Sequence, residues 1–221
     1  DGLASPQGTW VGGRLHKDWR EGRRGRVYAL VFGDGAETEG ARPDAAAPPR
    51  AASLVPVLEE SEVGMANGMA WGDGGAAFYL ADSASKCVLR FEADPASGIP
   101  RSGTGRVVVS ASTLGGAVPD GLCLDDAGRL WVALAETGAV GVFEPGEGGG
   151  GGREVGRVQG LPLTRLTSVA WGKGEEAGSL IVTSREEKGE GASPVAGCVC
   201  VVLGTGGRGA GGGEGVGVVR L

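Results

Sequence analysis

The stretch that decides the fold is Asp120-Gly121-Leu122-Cys123-Leu124, which is followed by a polar turn and then by Leu130-Trp131-Val132-Ala133. A third apolar segment, Ala139-Val140-Gly141-Val142-Phe143, comes after a second short turn. Short apolar bursts bounded by Asp, Gly and Pro are typical of β-strands joined by tight turns, and helix signals are almost absent. This stretch therefore predicts a unit of short antiparallel strands.

The same unit occurs four times in the chain of 221 residues. The other copies open with Asp1-Gly2-Leu3-Ala4, Asn67-Gly68-Met69-Ala70-Trp71 and Thr167-Ser168-Val169-Ala170-Trp171. Starts at residues 1, 67, 120 and 167 give a period near fifty residues, and such a period of strands and turns indicates β-propeller blades. We predict a single all-β propeller domain over residues 1–221, with blades near 1–58, 59–112, 113–160 and 161–203.

The repeat also predicts a site. The innermost strands of a propeller surround one axis, so Asp1, Asn67, Asp120 and Thr167, which open the four units, are expected at one shared mouth. Carboxylate and carboxamide oxygens are suitable ligands for Ca²⁺, Mg²⁺ or Mn²⁺. The alternative is that Asn67-Gly68 and Asp120-Gly121 are simply turns, because Asn-Gly and Asp-Gly are common turn dipeptides.

The second strands predict the packing between blades. Each contains one large apolar residue that alternation directs at the neighbouring sheet. These four residues, which we expect to be largely buried, are Trp10, Tyr79, Trp131 and Ile181.

Composition excludes several classes of function. With 21 basic and 27 acidic side chains the formal net charge is −6, which provides no electrostatic footprint for nucleic acid. No window approaches 18 consecutive apolar residues, so no membrane span is predicted. His16 is the only histidine and is expected in a surface loop, which argues against a histidine-based zinc cluster.

The cysteines and glycines complete the compositional analysis. Four cysteines without C-x-x-C spacing are expected to be buried free thiols, which favours a reducing compartment such as the cytoplasm. These are Cys87, Cys123, Cys198 and Cys200. The glycine-rich insert at 146–153 and the tail at 204–217 are interpreted as expanded loops between strands.

At these motifs the chain resembles the gluconolactonase/regucalcin (senescence marker protein) family of six-bladed propellers. The resemblance rests on Ala66-Asn67-Gly68-Met69-Ala70-Trp71 with Tyr79-Leu80-Ala81-Asp82-Ser83, and on Pro119-Asp120-Gly121-Leu122 with Gly128-Arg129-Leu130-Trp131-Val132. The stretch from Asp1-Gly2 to Trp10-Val11-Gly12 is similar to the family's N-D-G…D-P-x-G-x-x-W-x-G pattern, although Ser5-Pro6 replaces D-P.

The resemblance implies a metal-dependent hydrolase of small sugar lactones with one divalent cation, which could be Ca²⁺, Zn²⁺, Mg²⁺ or Mn²⁺. By this similarity Asn67 is a metal ligand, and Asp120 is both a metal ligand and the general base. Asp18 and Asp1 are candidate substrate contacts. The family's third ligand, a glutamate, and the asparagine that precedes the aspartate of N-D-G would both lie upstream of Asp1. Since about four of six blades are present, the resemblance predicts a chain that is incomplete at its N-terminus and a poor enzyme by itself.

Two other functions compete with this interpretation. A propeller of the same family could bind calcium or a protein partner without catalysing a reaction. A propeller like strictosidine synthase would share the architecture, but its site residues differ, and Asn67 and Asp120 in their motifs argue against it.

Overall fold

The computed structural model describes residues 1–14, 18, 24–32, 52–147, 149, 151–174, 177–186, 197–202 and 219–220. These residues form four antiparallel sheets of four strands each, and within each sheet the strands pair in the order in which they follow along the chain. Such consecutive four-stranded meanders are propeller blades. The all-β propeller fold predicted from the repeat is therefore confirmed.

The blades follow the order of the chain. The first contains β1 (Gly2–Ala4), β2 (Trp10–Arg14), β3 (Arg26–Phe32) and β4 (Ala52–Leu58). The second contains β5 (Ala66–Gly72), β6 (Ala77–Asp82), β7 (Cys87–Glu92) and β8 (Arg106–Val109), with a short 3-10 turn at Asp73–Gly75. The third contains β9 (Val118–Leu124), β10 (Leu130–Ala135), β11 (Ala139–Glu144) and β12 (Arg153–Val158). The fourth contains β13 (Leu166–Trp171), β14 (Leu180–Ser184), β15 (Val199–Val202) and β16 (Val219–Arg220).

The hydrophobic core is divided into three clusters, one between each pair of consecutive blades. Strand β6 shows the principle, because its side chains alternate between two cores. Phe78 and Leu80 pack against the first blade, whereas Tyr79 and Ala81 pack against the third. A strand buried on both faces needs apolar residues at every position, which explains the continuous apolar bursts in the sequence.

The packing prediction for the second strands is correct for the inner blades and wrong at the first. Tyr79 and Trp131 are buried, each with 7% exposure, and Ile181 is half-buried. Trp10 is 40% exposed. The reason is a register difference of one residue, which turns a side chain to the other face of a sheet. Val11 faces the second blade and is fully buried, so Trp10 points to the outer flank of the first blade.

Two further features differ from, or go beyond, the sequence predictions. The fourth blade extends past residue 203, since its outer strand is formed by residues 219–220.

All four cysteines are free, with Cys87 and Cys200 buried but Cys198 exposed. His16 lies outside the described residues. Within the described part of the chain, no helix combines the length and the apolarity needed to cross a bilayer.

Candidate functional site

The four inner strands β1, β5, β9 and β13 surround a common cavity of about 400 Å³. Each strand contributes a short segment to its lining, namely residues 1–3, 68–71, 122–124 and 168–170. Asn67 and Thr167 immediately precede two of these segments, and Asp120 lies two residues before a third, so all three are next to the cavity lining without being part of it. The structure therefore brings the inner strands together as the repeat predicted, with the three polar residues at equivalent positions along them.

Each of these three polar residues lies at a β-bulge. The pairing between first and second strands of the blade shifts by one residue between Ala66 and Met69, between Pro119 and Leu122, and between Leu166 and Ser168. A bulge reorients the side chain of the inserted residue, and bulges are frequent beside functional sites. Asn67 and Asp120 thus lie within strands, and the interpretation of these dipeptides as turns is wrong.

The glycine that follows Asn67 or Asp120 allows neighbouring inner strands to touch backbone to backbone. A Cβ atom on Gly68 would lie 2.5 Å from the carbonyl oxygen of Asp120 and 2.3 Å from the Leu122 nitrogen. A Cβ atom on Gly121 would lie 2.4 Å from the Ser168 Cα. Only glycine fits such contacts without a shift of the backbone. This packing places Asn67 and Asp120 side by side on adjacent strands.

The Asn67 amide has a defined hydrogen bond. Its Nδ2 donates to the Ser83 hydroxyl at 2.7 Å, and that hydroxyl donates to the Pro119 carbonyl oxygen at 2.5 Å. Ser83 belongs to the second blade and Pro119 to the third, so this short relay joins Asn67 to the residue just before Asp120.

Asp120 has the electrostatic character of a functional carboxylate. Burial raises the pKa of its side chain to about 6, although the positive charge of Arg185 opposes the rise. No hydrogen bond to the Asp120 carboxylate is present among the described residues. A partly desolvated carboxylate without a hydrogen-bond donor is suited to bind a cation or accept a proton.

Thr167 and Cys123 contribute less to the chemistry. The Thr167 hydroxyl is 2.8 Å from the Thr183 hydroxyl, so the two form a hydrogen-bonded pair. Cys123 lines the cavity, but burial raises the pKa of its thiol to about 12. A thiol with that pKa stays protonated near neutral pH, which excludes Cys123 as a nucleophile.

Asp1 is shifted by one position along its strand relative to Asn67 and Asp120. In the first blade Val11 faces the following blade and pairs with Leu3. In the second blade Tyr79 has that orientation and pairs with Ala70. Leu3 therefore corresponds to Ala70. Asp1, two residues before Leu3, corresponds to Gly68 rather than to Asn67. Asp1 still lines the cavity, but the expectation of a shared position is wrong for it.

Asp18 is the remaining candidate from the sequence. It is half-buried in the β2–β3 connection, most of which lies outside the described residues, and its role as a substrate contact stays a prediction. Sequence reasoning missed two residues near the site, Ser83 and Arg185. Ser83 directly follows the second strand of its blade, and Arg185 directly follows β14. Pairing of β5 with β6 brings Ser83 to Asn67, whereas the packing of separate blades brings Ser83 to Pro119 and Arg185 near Asp120.

Asn67 and Asp120 offer only part of the ligand set that a hard divalent cation needs. Oxygens of an amide and a carboxylate on adjacent strands are ligands that such a cation takes. The described residues contain no group of three or more His, Cys, Asp or Glu side chains placed to hold a metal ion. Asn67 and Asp120 would therefore supply two protein oxygens, and the other coordination positions would remain for water, substrate or further protein ligands.

Comparison with known proteins agrees with this architecture. Residues 1–186 match the family model described as the SMP-30/gluconolactonase/LRE-like region. A pentonolactonase, XacC, from Haloferax volcanii is 34% identical over 134 residues, which cover 61% of this chain and 43% of that protein. Regucalcin from Gallus gallus is 28% identical over 191 residues, which cover 85% of this chain and 54% of that protein.

A solved structure shows the same fold. The calcium-binding protein regucalcin from Agrobacterium tumefaciens superposes with a TM-score of 0.68 at 21% identity, covering 90% of this chain and 58% of that one. The chain thus spans about half the length of the curated relatives it matches. On the match over residues 1–186, the chain belongs to the SMP-30/gluconolactonase/LRE-like family.

Proposed function

We propose that this chain contributes the metal and base residues of a lactone hydrolase that acts on sugar lactones. The observation that carries the proposal is the pair of bulged inner-strand positions that place Asn67 beside Asp120, whose pKa burial raises to about 6. Family membership supports it, since a relative bears the name pentonolactonase.

Asn67 and Asp120 would hold one divalent cation by their side-chain oxygens. When bound, that cation would polarise the lactone carbonyl and stabilise the charge that develops on its oxygen. The relay through Ser83 fixes the Asn67 amide, so this ligand is held in place before the cation binds. Preorganisation of this kind lowers the cost of binding.

Asp120 would act as the general base. As a carboxylate it can take a proton from an attacking water molecule. The water oxygen bonds to the carbonyl carbon, the ring C–O bond breaks, and the ring oxygen receives the proton that Asp120 held. The product is an open-chain hydroxy acid.

Hydrolysis assays of Asp120→Ala test the proposal. Acid release from a gluconolactone and a pentonolactone is measured with Ca²⁺, Mg²⁺, Mn²⁺ or Zn²⁺, in this chain and in a form extended by further blades. Asp120→Ala is expected to lower the turnover of the active form by about 10²-fold or more. The matched control is Asp126→Ala, in the turn after β9, which should behave as wild type. Retained hydrolysis in Asp120→Ala would overturn the mechanism.

A calcium-binding propeller without catalysis is the second candidate. It is favoured by the relatives named regucalcin, one of which is described as a calcium-binding protein. Saturable cation binding by Asn67 and Asp120, with no hydrolysis of either lactone in the extended form, would support this candidate over the enzyme.

A further inference from the structure

We infer that Ser83 is the positioning residue of the site: its hydroxyl selects the orientation of the Asn67 amide that presents the carbonyl oxygen, rather than the NH₂ group, to a cation. The inference rests on the proposed function and adds to it a residue that touches neither the substrate nor the cation. It is carried by the two hydrogen bonds of the Ser83 hydroxyl and by its burial, with 7% exposure.

The orientation of the Asn67 amide follows from the number of hydrogens that the Ser83 hydroxyl can donate. A serine hydroxyl has one hydrogen to donate and lone pairs to accept. The Pro119 carbonyl oxygen, 2.5 Å away, can only accept, so the hydroxyl hydrogen is used there. The contact of 2.7 Å between Ser83 and Asn67 must then be a donation from Asn67. The amide consequently turns its Nδ2 toward Ser83 and its Oδ1 away.

The opposite amide orientation would leave a conflict. With Oδ1 against Ser83, two acceptors would compete for one hydroxyl hydrogen, and one of these largely buried groups would lose its partner. The NH₂ group would then face the place of the cation, where it would offer no lone pair. Ser83 therefore distinguishes two amide orientations that have nearly the same shape.

The neighbouring Asp82 holds Ser83 rigidly. The Asp82 carboxylate accepts hydrogen bonds from the backbone nitrogens of Gly64 at 2.8 Å and Met65 at 2.9 Å, and from the Ser85 hydroxyl at 2.8 Å. Asp82 is 1% exposed. It ties the turn after β6 to the entry of β5, the strand that bears Asn67, so the serine and the asparagine keep a fixed separation.

The chain offers a clean probe, because Asn67 is its only asparagine. Protein labelled with ¹⁵N-asparagine gives one side-chain amide signal, which reports on Asn67 without further assignment. In cation-free wild type, the Asn67 amide proton that is hydrogen-bonded to Ser83 should exchange with water about tenfold more slowly than the same proton does in Ser83→Ala. Ser83→Thr, which keeps the hydroxyl, should restore slow exchange.

The control is Ser5→Ala. The Ser5 hydroxyl is also buried and also joins two blades, since it accepts from the Thr9 nitrogen at 3.1 Å and donates to the Ser97 carbonyl oxygen at 3.4 Å. It does not touch Asn67. Ser5→Ala should therefore leave the Asn67 signal unchanged while it perturbs stability to a similar extent, which separates positioning from general destabilisation.

A Ca²⁺ titration of the same samples completes the test. Ser83→Ala should weaken Ca²⁺ binding by about 10–100-fold, the usual effect of losing a partner that orients a ligand, and Ser83→Thr should recover it. An unchanged Asn67 signal in cation-free Ser83→Ala would overturn the inference. If Ser83→Ala alters the signal but no divalent cation shifts it in wild type, the positioning role stands and the proposed cation site fails.

Discussion

At the scale of single residues, the proposed function depends on a carboxylate that the fold keeps partly out of water. Burial raises the pKa of Asp120 to about 6 from an ordinary value of 3.8. The folded state therefore binds the Asp120 proton more tightly than the unfolded state does. The carboxylate costs no stability below a pH near 4, and its cost grows until the pH reaches about 6.

Asp120→Asn should remove this cost. In cation-free buffer its Tm should equal that of wild type at pH 4 and exceed it by about 2–4 °C at pH 8. Thermal unfolding of both proteins across this pH range is the measurement. A wild type that is more stable than the variant at pH 8 would mean that Asp120 is favourably paired when folded, contrary to the site described above.

At the scale of strands, the inner-strand glycines set the distance between Asn67 and Asp120. Gly68→Ala should cost about 1–3 kcal/mol of unfolding free energy, because the new Cβ meets the backbone of β9. Gly156→Ala in β12 is the matched control, since its Cβ would contact Val142 at an ordinary 3.6 Å. Denaturant unfolding measures both, and equal losses would contradict the close packing of β5 and β9.

The second strands offer a paired test of the blade register. Trp131 is buried against the fourth blade, and its ring centroid lies 4.9 Å from that of Trp171. Its Nε1 donates a hydrogen bond to the Asp125 carboxylate. Trp131→Ala should cost about 3–5 kcal/mol by forming a cavity. Trp10→Ala, at a position 40% exposed, should cost about 1 kcal/mol or less. The reverse order in denaturant unfolding would show that the first blade has the register of the others.

The sequence predicted the strands, the blades and the positions of Asn67 and Asp120 on neighbouring inner strands, because apolar bursts and turn residues are local signals. The ligand roles of the two residues stay predictions. It did not predict the register of the first blade. Trp10 and Val11 are adjacent apolar residues, and which of them faces the second blade depends on the pairing with β1. Ser83 was missed for a similar reason, since its partner Pro119 is 36 residues away and belongs to another blade.

At the scale of the whole molecule, both outer flanks of the four blades expose apolar side chains. Trp10, Phe32 and Leu54 are 40%, 52% and 59% exposed in the first blade, and Val199 is 54% exposed in the fourth. The chain spans about half the length of its curated relatives. We propose that further blades cover these flanks in a complete propeller, because inner blades bury the corresponding faces.

Self-association of the isolated chain follows from these flanks. The chain should sediment as dimers or larger species at micromolar concentration, because exposed apolar sheet faces associate. The double variant Phe32→Ser, Leu54→Ser should shift the distribution toward monomer, whereas Glu59→Ser, Glu60→Ser, on exposed polar positions after β4, should not. A wild-type chain that is monomeric at these concentrations would contradict the proposal of uncovered flanks.

The proposed function requires that Asn67 and Asp120 bind the same cation. The most direct measurement is a Ca²⁺ and Mg²⁺ titration of the single ¹⁵N-asparagine signal in wild type, Asp120→Ala and the control Asp126→Ala. We predict a saturable shift of the Asn67 amide in wild type and in Asp126→Ala, and at least about tenfold weaker binding in Asp120→Ala. An equal shift in Asp120→Ala, or none in wild type, would contradict the claim.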